Sequence, residues 1–225
     1  MEVTAYEIQG RTVRLPVEVR RARTWAAQFL VDPSAAALLM PPGLTVARVA
    51  GKAMAIIPVA RYEDGDLDQY NEVGVAFLVR AAARKGIGVY IHHLPVTQQF
   101  TLEAGRTIWG FPKFMADIDI VEHPGGARIL LASDNEEILQ LDVRRGWVSI
   151  PSRAIPTYTY MDGVLRETRW TTSGKARARL GGGRLELGTH PIAKELRALG
   201  LPKKAFAVQT VPEMRATFGA STVIG

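Results

Sequence analysis

One lysine set among aromatic side chains is the strongest candidate for chemistry in this sequence. Lys113 closes a stretch that runs Gly105-Arg106-Thr107-Ile108-Trp109-Gly110-Phe111-Pro112, and Phe114 follows it. A free lysine amine is almost wholly protonated at neutral pH, and only the neutral amine is a nucleophile. Burial among apolar groups disfavours the ammonium form, and a neutral lysine amine can attack a carbonyl carbon to form a Schiff base. The stretch therefore indicates carbonyl chemistry at Lys113.

The residue types around Lys113 leave a second interpretation open. If the stretch is extended, its side chains alternate between two faces. Trp109, Phe111 and Lys113 then share one face, and Phe114 lies on the other. A lysine in this position can also extend past an apolar strand into solvent. Residue types alone do not decide between a reactive amine and a solvated one.

Two adjacent histidines, His92 and His93, are the obvious candidates for metal ligands. Neighbouring residues of a strand point to opposite faces, so we expect that these two cannot bind one ion. The sequence also lacks a His-Glu-x-x-His motif. We therefore predict no metal site, and His92 is either a hydrogen-bonded structural residue or a residue facing a pocket.

The glycine-rich segments carry no nucleotide-binding signature. Gly181-Gly182-Gly183 is not followed by lysine and a hydroxyl residue, and Gly86-Ile87-Gly88 has no third glycine in register. No Gly-x-Ser-x-Gly elbow of a serine hydrolase is present either. These segments are therefore interpreted as turns.

Short runs of branched apolar residues, separated by turn residues, predict a strand-rich fold. The predicted strands are Leu44 to Val49, Met54 to Ala60, Val73 to Arg80, Gly88 to His92, Arg128 to Ala132, Ile138 to Val143, Trp147 to Ile150, Ala176 to Leu180, Arg184 to Leu187 and Ala205 to Val211. Hairpin turns are expected at Asp134-Asn135-Glu136 and at Gly181-Gly182-Gly183.

Three short helices accompany these strands. Asp32 is a candidate cap for a helix that reaches Met40, and a second helix is predicted from Pro191 to Leu199. A last helical turn is predicted from Pro212 to Phe218. Many strands around few helices favour an α+β, strand-rich fold with an antiparallel, closed or half-closed β-barrel or cone. The interior of such a barrel can hold a small ligand.

Composition favours one domain over residues 1–225, since no linker, repeat or low-complexity tract divides the chain. The net charge of +6 is spread along the sequence without a recognition motif, so we expect no nucleic-acid partner. The longest apolar runs are far shorter than the roughly 18 residues of a membrane span, so no membrane partner is expected. The absence of cysteine fits a cytoplasmic protein.

The segment from Arg106 to Lys113 resembles the signature of the acetoacetate decarboxylase family, in which an arginine is followed by an aromatic residue and by Pro-Lys. In that family the lysine forms the Schiff base. Other similar segments are Asp32 to Leu44, Tyr70-Asn71-Glu72, Tyr90-Ile91-His92, Leu185 to Glu195 and Lys203 to Val211. The resemblance runs from about residue 20 to 220, and the chain is identified as a member of the family.

The resemblance implies a barrel fold and assigns roles to particular residues. It implies that Lys113 is the Schiff-base lysine and Glu72 the carboxylate beside it. The substrate-binding residues that it suggests are Trp109, Phe111, Phe114, His92, Arg106 and Arg23. It further implies an enzyme without a cofactor, acting on a small carbonyl compound or keto acid, and a homo-oligomer.

Three positions depart from the family pattern. Phe114 stands where the decarboxylase has a second lysine. The family arginine falls near Ala22, between Arg21 and Arg23, and its second glutamate falls near Met54. The sequence therefore leaves three functions open: a β-keto acid decarboxylase, an aldolase-dehydratase, and a non-catalytic member that binds small molecules.

Overall fold

The computed structural model describes residues 4–152 and 154–224. Its strands are β1 (Ala5–Ile8), β2 (Arg11–Arg14), β3 (Val17–Val31), β4 (Leu44–Val46), β5 (Arg48–Val49), β6 (Lys52–Gly65), β7 (Tyr70–Val73), β8 (Val75–Ala81), β9 (Gly88–Val96), β10 (Lys113–Met115), β11 (Asp117–His123), β12 (Gly126–Ser133), β13 (Glu136–Arg144), β14 (Val148–Ile150), β15 (Thr157–Met161), β16 (Val164–Gly174), β17 (Ala176–Leu180), β18 (Gly183–Leu187) and β19 (Ala207–Val223). Its helices are α1 (Pro33–Ala37), α2 (Gln99–Trp109) and α3 (Pro191–Ala198).

Seven strands close a barrel. The ring runs β3, β19, β16, β15, β9, β7, β6 and back to β3. All neighbours in the ring are antiparallel except β15 and β9, which run parallel. Closure lets the residues on the inner face of every strand converge on one interior. The predicted strand-rich barrel with few short helices is confirmed.

A four-stranded sheet, ordered β11, β12, β13 and β18, supports the barrel. Burial alternates along β12, as expected for a strand with one face on a core. Its buried residues Ile129 and Leu131 join Leu139 and Leu141 of β13 in one apolar cluster with Phe29 of the barrel strand β3. The barrel and this sheet therefore share the main hydrophobic core.

Helix α2 joins β9 to β10 and was not predicted. The Gln98 side chain caps it by accepting a hydrogen bond from the amide of Thr101. Phe100, Ala104 and Ile108, spaced four residues apart, bury one face in a second apolar cluster. The extended conformation considered for the stretch before Lys113 is therefore wrong as far as Trp109, and only Lys113–Met115 forms a strand.

Two further local predictions are wrong. Pro212 to Phe218 belongs to β19, because its backbone pairs with β3 and β16 over most of that length. Gly181-Gly182-Gly183 does not close a hairpin, since β17 pairs with β14 and β19 whereas β18 pairs with β13 of the other sheet. The glycines instead carry the chain from one sheet to the other.

Other local predictions are confirmed. Asp134 and Asn135 form the turn between β12 and β13 with φ of 51° and 62°. Asp32 caps α1 through hydrogen bonds from the amides of Ser34 and Ala35, although α1 ends earlier than predicted. None of the helices in the described residues has the length and apolar character that a bilayer span requires.

Candidate active site

A cavity of about 270 Å³ lies against the residues of the lysine signature. Lys113, Trp109 and Phe111 line it together with Trp170 of β16 and Phe218 of β19. The Trp170 and Phe218 rings stack with centroids 5.4 Å apart. The cavity is therefore a largely apolar chamber, with aromatic rings and an amine in its wall.

Lys113 is buried, with 2% of its surface exposed. Its Nζ donates a hydrogen bond to Thr101 Oγ1 at 2.9 Å and forms an ion pair with Glu72 Oε2 at 2.9 Å. The solvated lysine that the sequence left open is wrong, and the amine has a proton acceptor in direct contact.

One face of α2 positions the lysine. Thr101, Gly105 and Trp109 recur every four residues and so lie on the same face of the helix. A Cβ atom on Gly105 would lie 2.7 Å from Cδ of Lys113, so glycine leaves room for the lysine stem to pass the helix. Arg106 holds the backbone of Lys113, because its Nε donates to the Lys113 carbonyl at 2.7 Å.

The chain turns between α2 and β10 at a glycine. Gly110 has a φ of 65°, a left-handed conformation that glycine adopts without a steric penalty and that often ends helices. After it, Lys113 pairs with Leu94 of β9 in a parallel register. The turn thus directs Lys113 back along the barrel wall.

The hydroxyl group of Tyr62 holds Glu72. Tyr62 donates a hydrogen bond from its hydroxyl to Glu72 Oε1 at 3.2 Å, and the Tyr62 and Tyr70 rings stack at 4.3 Å. The Tyr70 ring centroid also lies 4.9 Å from Nζ of Lys113. Burial, and then the charge of Glu72, raises the pKa of Tyr62 and of Tyr70 well above the usual value. Both phenols are therefore neutral at physiological pH.

Lys113 is the one cation among the described residues that line the cavity. The lining also includes the carboxylates of Glu72, Glu18, Asp66 and Asp68. Asp66 and Asp68 are paired with arginines outside the lining, which are Arg20 and Arg11. A second anion entering the cavity would therefore meet no cation other than the catalytic candidate.

The structure brings together four of the residues that the sequence singled out: Lys113, Glu72, Trp109 and Phe111. It places the others outside the cavity lining. Arg106 is exposed and contacts the Lys113 backbone. Phe114 packs against the main core and edge-on to His93, with ring centroids 6.4 Å apart.

Arg23 lies in a separate open groove of about 780 Å³, together with Arg21 and Arg61. This groove shares Tyr62 and Tyr70 with the cavity. Arg23 contacts Glu63 at 2.9 Å and Glu122 at 3.2 Å, so carboxylates already occupy its guanidinium. Neither Arg21 nor Arg23 enters the cavity lining.

Neither of the other two positions that depart from the family pattern, Ala22 and Met54, lines the cavity. Ala22 is fully buried in a small apolar cluster with Val211 and Met214. Met54 does not line the cavity, whereas Ala60 and Tyr62 of the same strand do. Strand β6 therefore offers the cavity a phenol and no second carboxylate.

The expectation that His92 and His93 point to opposite faces is wrong. Val75 of β8 lies opposite His93, while Ala76 lies opposite Ile91, so His92 is an extra residue in β9. A β-bulge of this kind breaks the alternation of side chains. As a result both imidazoles contact Glu195 of α3, at 3.1 and 3.0 Å from Oε1, and neither lines the cavity.

Four residues of the site were missed from the sequence: Tyr62, Tyr70, Thr101 and Gly105. Tyr70 stands two residues before Glu72, and the period of a strand places both on one face. Thr101 and Gly105 could have been found only by recognising α2 and its four-residue spacing. The residues next to Tyr62 in the sequence do not indicate its role. Its partner Tyr70 lies beside it only because β6 pairs with β7.

Comparison with known proteins identifies the family of this chain and structures with a similar fold. The family model described as acetoacetate decarboxylase matches residues 4–222, whereas no curated protein sequence matches. An acetoacetate decarboxylase from Legionella pneumophila is 18% identical with a TM-score of 0.78, over 93% of this chain and 87% of that one. The enduracididine biosynthesis enzyme MppR, complexed with the condensation product of pyruvate and imidazole 4-carboxaldehyde, is 14% identical with a TM-score of 0.77, over 100% and 98%. An acetoacetate decarboxylase-like enzyme from Sphingomonas wittichii is 19% identical with a TM-score of 0.71, over 96% of each chain. At these identities the structural likeness establishes the fold.

Proposed function

This chain belongs to the acetoacetate decarboxylase family, and we propose that it is a Schiff-base lyase in which Lys113 forms an imine with a small carbonyl compound. The observation that supports this most directly is the 2.9 Å contact between Lys113 Nζ and Glu72 Oε2 inside an aromatic cavity. The pair supplies a nucleophile and a proton acceptor in one place. A lysine and a base within hydrogen-bond reach are the minimum for imine catalysis.

Imine formation follows from that contact. Glu72 accepts a proton from the Lys113 ammonium, and the freed amine lone pair attacks the carbonyl carbon. Glu72 returns that proton to the carbinolamine oxygen and then carries a second proton from the nitrogen to the same oxygen, which leaves as water and gives a protonated imine. The carboxylate ends as it began, and the positive charge of the lysine now lies on the imine nitrogen.

The protonated imine is the electron sink for the next step. Glu72 removes a proton from the carbon next to the imine, and the electron pair of that C–H bond forms an enamine. The enamine carbon attacks a second carbonyl, or in the reverse direction a carbon–carbon bond breaks. A departing carboxylate could deliver electrons to the same sink, which is the decarboxylase alternative.

The charges of the cavity favour an uncharged substrate. Once Lys113 is a protonated imine, its nitrogen is the one positive charge in the described lining, and Glu72 is already beside it. A substrate carboxylate would therefore find no cation of its own to pair with. An unpaired anion in apolar surroundings is strongly disfavoured. Trp109, Phe111 and Trp170 instead offer apolar surface to a neutral ketone or aldehyde. We therefore propose aldol-type chemistry on a neutral carbonyl compound in preference to β-keto acid decarboxylation.

A similar structure gives independent support for carbon–carbon bond chemistry in this fold. MppR was solved with pyruvate and with a condensation product of pyruvate and an aldehyde. Pyruvate carries a carboxylate, so the neutral substrate proposed here rests on the lining of this cavity.

Reductive trapping tests the proposal. The protein is incubated with neutral aldehydes and ketones, and separately with acetoacetate and pyruvate, then treated with borohydride and analysed by mass spectrometry. We expect a covalent adduct on Lys113 with the neutral compounds and little with the acids. Carbon dioxide release is followed in parallel and is expected to stay at the background rate.

Matched variants complete the test. Lys113→Arg keeps a buried cation and removes the nucleophile, so it should give no adduct while remaining folded by circular dichroism. Lys175→Arg makes the same change at an exposed lysine and should react as the wild type does. A folded wild-type protein that forms no adduct with any carbonyl compound would support the binding-only function instead. Adducts and carbon dioxide with acetoacetate alone would identify a decarboxylase.

A further inference from the structure

The bulge at His92 brings two imidazoles and a carboxylate to one point, away from the cavity. Nε2 of His92 and Nε2 of His93 lie 3.1 and 3.0 Å from the same oxygen, Oε1 of Glu195. The three candidate ligand atoms all lie within 4.8 Å of one another. Two histidine nitrogens and one carboxylate oxygen form a ligand set found in zinc enzymes.

The spacing of these atoms suits a metal ion. A tetrahedral zinc ion with bonds of about 2.0–2.1 Å separates its ligand atoms by about 3.3 Å. The two observed N···O distances are within a few tenths of an ångström of that value. We propose that His92, His93 and Glu195 bind a divalent transition-metal ion, with Zn²⁺ the best match, and that water completes the coordination.

The surroundings of the cluster support this assignment. Phe77, Tyr90 and Phe114 pack around the two imidazoles, with ring centroids 5.9 to 6.4 Å away. Such an apolar shell limits the freedom of the rings and the competition from water. The side chains of His92, His93 and Glu195 nevertheless stay 17, 24 and 30% exposed, so an ion can enter from solvent.

One oxygen of Glu195 faces both imidazoles. Burial would raise the pKa of Glu195, but hydrogen bonds from His92 and His93 outweigh burial and hold that pKa at about 2. The carboxylate is therefore ionised at neutral pH. Both Nε2 atoms must present a lone pair to the ion, so each imidazole would bind in the tautomer that carries its proton on Nδ1.

The ion would tie α3 to the barrel. Glu195 lies in α3, whereas His92 and His93 lie in β9, about a hundred residues earlier. An ion that binds the folded chain better than the unfolded chain stabilises the fold. None of the three residues lines the cavity around Lys113, so the site is independent of the proposed imine chemistry.

Zinc titration of the protein, purified without a histidine tag and stripped with chelator, tests the site. We expect one equivalent of Zn²⁺ by calorimetry, a rise in Tm on adding Zn²⁺, and its reversal by EDTA. Co²⁺ should give the intense visible absorption of a four- or five-coordinate ion. Wild-type protein that binds neither ion stoichiometrically would overturn the proposal.

Variants locate the ion. Glu195→Gln and His93→Gln should each weaken Zn²⁺ binding by at least about tenfold. His123→Gln changes a histidine outside the cluster and should leave the affinity unchanged. If binding persists in a folded His92→Gln/His93→Gln double variant, or disappears in His123→Gln, the assignment is wrong.

Discussion

Gly105 and Lys113 are in contact across the α2–β10 turn, and the missing side chain of the glycine is what makes room for the lysine. A Cβ on residue 105 would lie 2.7 Å from Cδ and 2.8 Å from Cε of Lys113. These distances are shorter than real carbon contacts, so the lysine stem would have to move. The glycine in the lysine signature thus has a steric role, beyond helix geometry.

Gly105→Ala tests that role. In an open helix this change would stabilise by about 0.5–1 kcal/mol. Here the displaced lysine stem is expected to outweigh the gain, since overpacking typically costs about 1–3 kcal/mol. We expect a lower Tm and adduct formation slowed by at least about tenfold, because small misplacements of reacting groups are costly.

Gly219→Ala provides the matched control. A Cβ there would have its nearest neighbour at 3.7 Å, an ordinary contact. It should change adduct formation little. Equal rates for Gly105→Ala and wild type would show that Lys113 does not need the space.

Glu72→Gln removes the proton acceptor while keeping the shape of the side chain. Imine formation should slow by about 10²–10⁴-fold, the usual contribution of a positioned general acid or base. The rate is measured by borohydride quenching at intervals. Glu186→Gln changes an exposed carboxylate paired with Arg184 and should react normally. If Glu72→Gln formed the imine as fast as Glu186→Gln, Glu72 would have no part in proton transfer.

Tyr62 should make the free energy of unfolding depend on pH in the alkaline range. Its pKa is raised in the folded protein, mainly by burial and next by Glu72. Between pH 10 and that raised value, the unfolded chain loses the phenol proton and the folded protein keeps it, so the free energy of unfolding falls as pH rises. The stabilisation that Tyr62 contributes is fully present below pH 10. One such group changes the slope of the unfolding free energy against pH by at most about 1.4 kcal/mol per pH unit.

Tyr62→Phe should therefore lose stability less steeply above pH 10 than the wild type. Urea unfolding at pH 8, 9, 10 and 10.5 measures the slope. Parallel slopes in the two proteins would mean that Tyr62 ionises equally in both states.

Phe114 should matter for folding and little for chemistry. It packs against the main core and His93 and does not line the cavity. Phe114→Leu is expected to lower the free energy of unfolding by about 1 kcal/mol and to leave adduct formation within about twofold. Phe111→Leu, which alters the cavity wall, should instead raise the KM for an apolar carbonyl compound. The reverse pattern would place Phe114 in the site.

Several features could be predicted because they are local. Asp32 followed by Pro33 predicted the start of α1, and Asp134-Asn135 predicted the turn between β12 and β13. Each depends on residues only a few positions apart. The extended interpretation of the stretch before Lys113 failed because the pattern that defines α2 begins at Gln98, before the signature.

The partners of Lys113 lie beyond local reach. Glu72 comes from β7 and Thr101 from α2, and Tyr62 of β6 holds Glu72 in turn. Pairing of β7 and β10 with β9 brings Glu72 to the amine, whereas the turn between α2 and β10 brings Thr101 to it. The resemblance supplied Glu72, but Thr101 and Tyr62 required the structure.

The sequence by itself determined the strand-rich barrel and singled out the candidate lysine and its aromatic neighbours, because residue type, spacing and family signature are properties of the chain order. The tertiary structure decided what surrounds that lysine: a carboxylate, a hydroxyl and no second cation in the described lining. It also decided that His92 and His93 converge on Glu195, since a one-residue bulge in β9 arises from its pairing with β8. Strand pairing and barrel closure join residues far apart in the chain, and no local pattern encodes which of them will meet.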